Sequence, residues 1–333
     1  MTRLKTTALL LLLVFYYGTT TAQNKPSDCE IFFADPTIHV ENGKYYLSGT
    51  RNKGPLGFAI LESYNLVDWK VPETADNDMG MILAVGEHVY GSKGFWAPQF
   101  LKENGRYYLT YTANEHVAIA SSPTLTGTYT HSAAVPIDNT EKNIDSYIYK
   151  DDDGTYYLYH VRFNNGNFLW VAEYDMEQAQ IKPETLTQCF SNTEDWEATP
   201  NYESAPIMEG PTVIKLDGVY YLFYSANHFM NIDYAVGYAT ATSPYGPWKK
   251  HPNSPIIHRS IVGENGSGHG DVFYDQNNQA YYVYHVHYSD TQVAPRRTRI
   301  VPLEFALDPN SDDNIYSVTV KSDQVIKPVY WGK

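Results

Sequence analysis

The sequence predicts an all-β chain folded as a five-bladed β-propeller. Two observations carry that prediction. First, one local pattern occurs five times: a polar start, a short β-like run, a turn, then Tyr-Tyr. The tyrosine pairs begin at Tyr45, Tyr107, Tyr156, Tyr220 and Tyr281, separated by 62, 49, 64 and 61 residues. Repetition at this spacing marks a radial or stacked array rather than one ordinary sheet. Second, period-two alternation dominates the copies, as in VYYLFYSA and AYYVYHVHY, with no long amphipathic helix pattern. A propeller brings equivalent positions of every blade to one axis, so residues distant in sequence become neighbours.

The elements follow in order. Residues 1–22 read as a secretory signal. Arg3 and Lys5 supply the charged start, Ala8 to Tyr17 the apolar stretch, and Thr20-Thr21-Ala22 the small-residue cleavage site. That stretch is too short to span a bilayer. Residues 23–333 read as a single propeller domain. Asn42-Gly43, Asn104-Gly105, Asp153-Gly154 and Asp217-Gly218 are the expected hairpin turns, because these residues tolerate the positive φ of a tight connection. A second hairpin follows in several units, at Ala59, Ala118 and Gly237, giving four strands per blade. DMEQAQIKPETLTQCF is expected to complete blade three, and SNTEDWEATPNYESAP to loop into blade four. The tail, SVTVKSDQVIKPVYW, closes the ring on the first or last blade.

Totals bound the function. Hydrophobic residues make up 43% and charged residues 19% of 333, enough for a sizeable core. The net charge is −14, and loss of the signal's two cations makes it −16. No Lys/Arg run appears, so nucleic acid and anionic membrane are poor partners. The expectation is an exported monomer, periplasmic or extracellular, without membrane insertion. Export permits a disulfide between Cys29 and Cys189; two free thiols fit equally well.

About ten to twelve residues upstream of each Tyr-Tyr lies a strand start. There stand Asp35, Trp96, Asp145, Glu209, and the pair His269 and Asp271. Strand starts often carry Asp as a turn cap. Three carboxylates at matched register, in different blades, instead point to a site at one end of the axis. Clustered acids repel and desolvate, so their pKa values split, and a split pair is the machinery of glycoside hydrolysis. Asp151, Asp152 and Asp153 sit at a hairpin tip and read as solvated turn residues.

Asp-Pro-Thr-Ile, Trp-Ala-Pro, Ile-Asp, Glu-Gly-Pro and Gly-His-Gly, in that order, resemble glycoside hydrolase family 43 over nearly the whole chain beyond the signal. The resemblance implies a five-bladed propeller that hydrolyses glycosides with inversion. It implies Asp35 as general base, Glu209 as general acid, and Asp145 as the residue that orients the acid and raises its pKa. It places Trp96 and Phe33 around the cleaved sugar, and Arg296 or Arg297 reaching it. His269 matches a histidine beside a bound calcium or sodium ion; no cofactor is required for the chemistry. His228, Tyr147 and Phe229 could line the pocket or pack. Two departures stand out: Gln99 where relatives carry an acid, and Ser146 where many carry proline.

The resulting expectation is a hydrolase of plant-type polysaccharides or their oligosaccharides, an α-L-arabinofuranosidase or β-xylosidase. A galactan- or galactofuranoside-active relative and a catalytically silent sugar-binding propeller are the alternatives. Inversion needs room for water, so the Asp35 and Glu209 carboxyl groups should stand roughly 6.5–9.5 Å apart.

Overall fold

Each Tyr-Tyr pair lies in the second strand of an antiparallel sheet, and the polar start opens the first. This is a computed structural model describing residues 30–307 and 315–331. The signal segment 1–22, and Cys29 with any pairing to Cys189, lie outside the described residues. The five inner strands are Phe33–Glu41, Trp96–Glu103, Asn143–Lys150, Met208–Leu216 and Gly268–Tyr274. Each packs on the next, and the fifth packs on the first, closing a five-bladed β-propeller around one axis. Blades three, four and five have at least four strands, while blades one and two have three regular strands plus short outer bridges. Among the described residues helix is confined to a single turn, Arg259–Val262, and three short 3-10 turns. Among the described residues no helix is long and apolar enough to cross a membrane.

The tail closes the ring on both sides at once. Tyr316–Val320 pairs with Arg297–Leu307 in blade five, and Val329–Tyr330 pairs in parallel with Asp68–Trp69 in blade one. Three of the expected hairpins have both turn residues at positive φ: Asn42-Gly43, Asn104-Gly105 and Asp217-Gly218. In the third unit only Gly154 does, and the turn closes from Asp151 to Thr155.

The tyrosines do two jobs. Tyr159, Tyr221, Tyr224, Tyr238, Tyr282 and Tyr284 are fully buried. Each ring removes a large apolar area from water, which favours folding. The first tyrosine of a pair also helps tie blade to blade. Tyr107 donates to Glu41, which pairs with Lys102; Tyr220 donates to Asp151, which pairs with Lys215. Asp151 is therefore not solvated, as expected from sequence, but a clasp between blades three and four. Asp152, largely exposed, reaches the same lysine.

Candidate active site

Every inner strand breaks its ladder at the same place. Register shifts fall at Ala34/Thr37, Trp96/Gln99, Ile144/Tyr147, Glu209/Thr212 and Gly268/Gly270. The residue at each break is left-handed: Asp35 (φ 47°), Ala97 (46°), Asp145 (55°), Gly210 (60°) and His269 (42°). Four of these are not glycine, and such backbone persists only where surroundings hold it. The kinks turn Asp35, Asp145 and His269 to the axis. Glu209 is one residue out of that register, so the matched alignment of three acids is corrected to two. Gly210 occupies the fourth kink because a Cβ there would lie 2.8 Å from the His269 ring.

The kinks are latched in a ring. The N–H of Ala97 donates to Thr50 Oγ1 (2.9 Å), that of Asp145 to Thr112 Oγ1 (3.0 Å), that of His269 to Ser225 Oγ (2.8 Å), and that of Asp35 to His285 Nδ1 (3.1 Å). Each latch comes from the second strand of the preceding blade. In blade three the equivalent residue is Val161, which pairs with Ile144 as Thr50 pairs with Ala34. Valine has no acceptor, and the Gly210 N–H donates to the Asp145 carboxylate instead.

The three carboxyl groups are buried side by side but in opposite electrostatic company. Burial acts to raise Asp35, yet Arg296, His269 and His285 override it and hold the acid well below the usual carboxylate range. Arg296 Nη1 stands 2.9 Å from Asp35 Oδ1, His285 Nδ1 3.3 Å and His269 Nδ1 3.5 Å. Burial pushes Glu209 up to about 7; the negative charge of Asp35 adds to the rise, and the Tyr234 hydroxyl, donating at 2.7 Å, opposes it. Asp145 is also raised, by burial first and then by Glu209 and Asp35. Glu209 and Asp145 thus form a coupled pair holding a proton that ordinary carboxyls would lose.

Asp35, Trp96, Asp145, Glu209, His228, Phe229, His269 and Arg296 line a cavity of about 240 Å³. Trp96 stands at its rim, 37% exposed. Arg296 lies over the Phe229 ring, 4.7 Å from its centre. Of the two candidate arginines, only Arg296 faces this cavity. Arg297 points away and binds Glu264 and the His287 carbonyl. Phe33 belongs to the hydrophobic core of blade one and to a neighbouring cleft rather than to this cavity. Tyr147 lines the channel below. Gln99 staples blade two to blade three, its Oε1 accepting from the Ile148 N–H at 2.9 Å. Sequence reasoning missed Tyr234 and His285. His285 interrupts an otherwise apolar inward run, which was the available signal; Tyr234 sits in a loop with none.

His269 is a poor direct ligand. Its Nδ1 faces Asp35 and Asp145, and no three His, Cys, Asp or Glu groups converge as a metal cage among the described residues. The donor set does not fit a directly coordinated ion.

Ionised and protonated carboxyl groups facing one sugar-sized cavity on a propeller define a glycosidase class, and the comparisons agree. The family model "Glycosyl hydrolases family 43" matches residues 29–309. The chain belongs to that family and is a glycoside hydrolase. It is 38% identical to a solved Bacteroides thetaiotaomicron endo-1,4-β-xylanase, covering 91% of this chain and 98% of that one, with a TM-score of 0.81. A thermostable family-43 glycoside hydrolase is 31% identical, covering 87% and 92%, with a TM-score of 0.74. The β-D-galactofuranosidase of Aspergillus niger is 25% identical over 85% of this chain and 83% of its own length. The β-xylosidase of Xylanibacter ruminicola is 25% identical over 72% and 86%.

Proposed function

We propose that the protein is an exported, exo-acting, inverting glycosidase that removes α-L-arabinofuranosyl or β-xylosyl units from plant-type polysaccharides or their oligosaccharides. The observation that carries this is the opposite bias of Asp35 and Glu209 within one cavity. Asp35, ionised, takes a proton from water as the water oxygen bonds to the anomeric carbon. Glu209, protonated, gives its proton to the glycosidic oxygen as the C–O bond breaks. Asp145 shares a proton with Glu209 and so keeps the acid charged with one at neutral pH. Arg296 keeps Asp35 ionised, and Trp96 offers an aromatic face to the sugar.

The cavity supports exo action. At about 240 Å³ it falls below the ~300–1,000 Å³ of typical ligand pockets, which favours a chain end over a chain interior. No cofactor enters the proton route. An ion near His269 would have to be held largely through water. The Aspergillus relative supports galactofuranosides as a second substrate reading.

The test is hydrolysis of nitrophenyl α-L-arabinofuranoside, β-xyloside and β-galactofuranoside, with the first-formed anomer followed by proton NMR. Release of an inverted sugar from one of the first two, abolished in Glu209→Ala, supports the reading. A retained anomer refutes inversion. Inertness of the wild type on all three, with sugar binding intact, would make it a binding propeller.

A further inference from the structure

The loop between blades three and four builds a second cavity beside the first. It measures about 490 Å³ and is lined by residues including Thr199, Tyr202, Ser204, Ile207 and Asn227. Ile207 is the wall shared with the catalytic cavity. It lies just upstream of the strand that carries Glu209.

That position has a chemical meaning. The acid must lie against the oxygen that departs, so the departing part of the substrate extends on the Glu209 side. On the Asp35 side, Arg296 and His285 stand against the carboxylate and the Phe229 ring lies under the guanidinium. The cavity that shares the Ile207 wall is a preformed place for a departing sugar.

The loop is held before any ligand arrives. Glu197, fully buried, pairs with Lys250 and accepts from the Tyr224 hydroxyl at 2.6 Å. Trp196 packs where Gly237 leaves room; a Cβ there would come within 2.5 Å of the indole. Thr199 Oγ1 accepts from Asn227 at 2.8 Å and Asn231 at 3.0 Å. The Pro206 carbonyl accepts from the Asn167 N–H at 2.8 Å. Rigid anchoring favours a binding wall over a lid, because little ordering cost remains for binding.

Within this wall one aromatic links the two cavities. The Tyr202 ring stacks on His228 at 4.6 Å, and His228 on Phe229 at 4.9 Å. Tyr202 lines the outer cavity while His228 and Phe229 line the inner one. A flat, fixed ring with a polar tip is well suited to the face of a sugar.

We propose that this outer cavity binds the leaving-group sugar and that Tyr202 is the residue that selects it. The inference rests on the glycosidase reading above and goes beyond it by naming the subsite for the aglycone. The test compares two substrates of the same glycosyl unit: the disaccharide, which has a leaving sugar, and the glycosyl fluoride, which has none. Tyr202→Ala should lower kcat/KM on the disaccharide about tenfold more than on the fluoride, and Tyr202→Phe should restore most of it. Equal losses on both substrates, or no loss on the disaccharide, would overturn the proposal.

Should the wild type hydrolyse neither substrate, the glycosidase reading fails, and calorimetry with xylo- and arabino-oligosaccharides decides the cavity separately. Disaccharide binding that exceeds monosaccharide binding and weakens in Tyr202→Ala supports it. Binding indifferent to Tyr202, or absent, refutes it.

Discussion

The mouth of the channel and its neck are made by the same five strands, two residues apart. At the mouth stand the kink residues Asp35, Asp145 and His269, with Glu209 alongside. At the neck stand Thr37, Gln99, Tyr147, Thr212 and Asp271. Asp35 and Asp271 are both buried on neighbouring inner strands. Yet Asp35 is driven down and Asp271 is pushed up to about 6. Burial raises both. At Asp35 the Arg296 guanidinium leads the groups that overcome it, whereas Asp271 has only hydroxyl and amide donors, Thr37 at 2.7 Å and Thr212 at 3.0 Å. The fold sets where an acid stands; its charged neighbours decide what it can do.

The sharpest way to break that contrast is to neutralise acids in each region. Asp35→Asn and Glu209→Gln should each lower kcat by about 10²–10⁴-fold, the range for a lost general base or acid. Asp271→Asn should change it by less than about threefold. Comparable losses at the neck, measured as sugar release on one substrate, would erase the distinction.

Next in size is Arg296→Ala. With the guanidinium gone, burial dominates at Asp35 and its pKa rises. An acid limb should enter the pH–rate profile. Removing one partner of a buried pair costs on the order of 3–5 kcal/mol, which denaturant unfolding at neutral pH would register. A profile unchanged on the acid side would mean that Arg296 does not hold Asp35 down.

A third expectation concerns the wild type. Glu209 must be protonated to act, so activity should fall as pH rises through about 7. The limb belongs to the Glu209–Asp145 pair rather than to one residue. Stability follows the same direction. The folded state binds the proton more tightly than the unfolded chain, whose ordinary value is 4.5. The contribution is complete below that value and is lost as pH rises through about 7. A Glu209→Gln variant that keeps the wild-type pH slope of unfolding free energy between pH 5 and 8 would contradict this.

The smallest effect tests the missing latch. Val161→Thr would offer the Gly210 N–H an oxygen, as Thr50 and Thr112 do in their blades. Asp145 would lose part of a donor and hold its proton more firmly. The alkaline limb should move upward, and no movement would mean that Val161 is only packing.

Much of this was legible in the sequence because the repeat and the alternation are local signals. The blades, three of the hairpin turns and the axial placing of Asp35 and Asp145 follow from register alone. Glu209 did not, because its blade puts glycine at the kink and shifts the acid by one residue. Arg296 and Arg297 were inseparable because they are adjacent where a strand begins, and only the ring's closure says which faces inward. Asp151 was misread because its partner Lys215 lies 64 residues away in the next blade. Contacts between blades are set by packing that no single repeat encodes.

Carboxyl titration of Asp35, Asp145 and Glu209 by carbon-13 NMR addresses the account most directly. Asp35 should stay ionised down to the acid limit of folding, while the other two together release one proton near neutrality. An Asp35 that titrates in the ordinary range, or a pair already fully charged at pH 5, would contradict it.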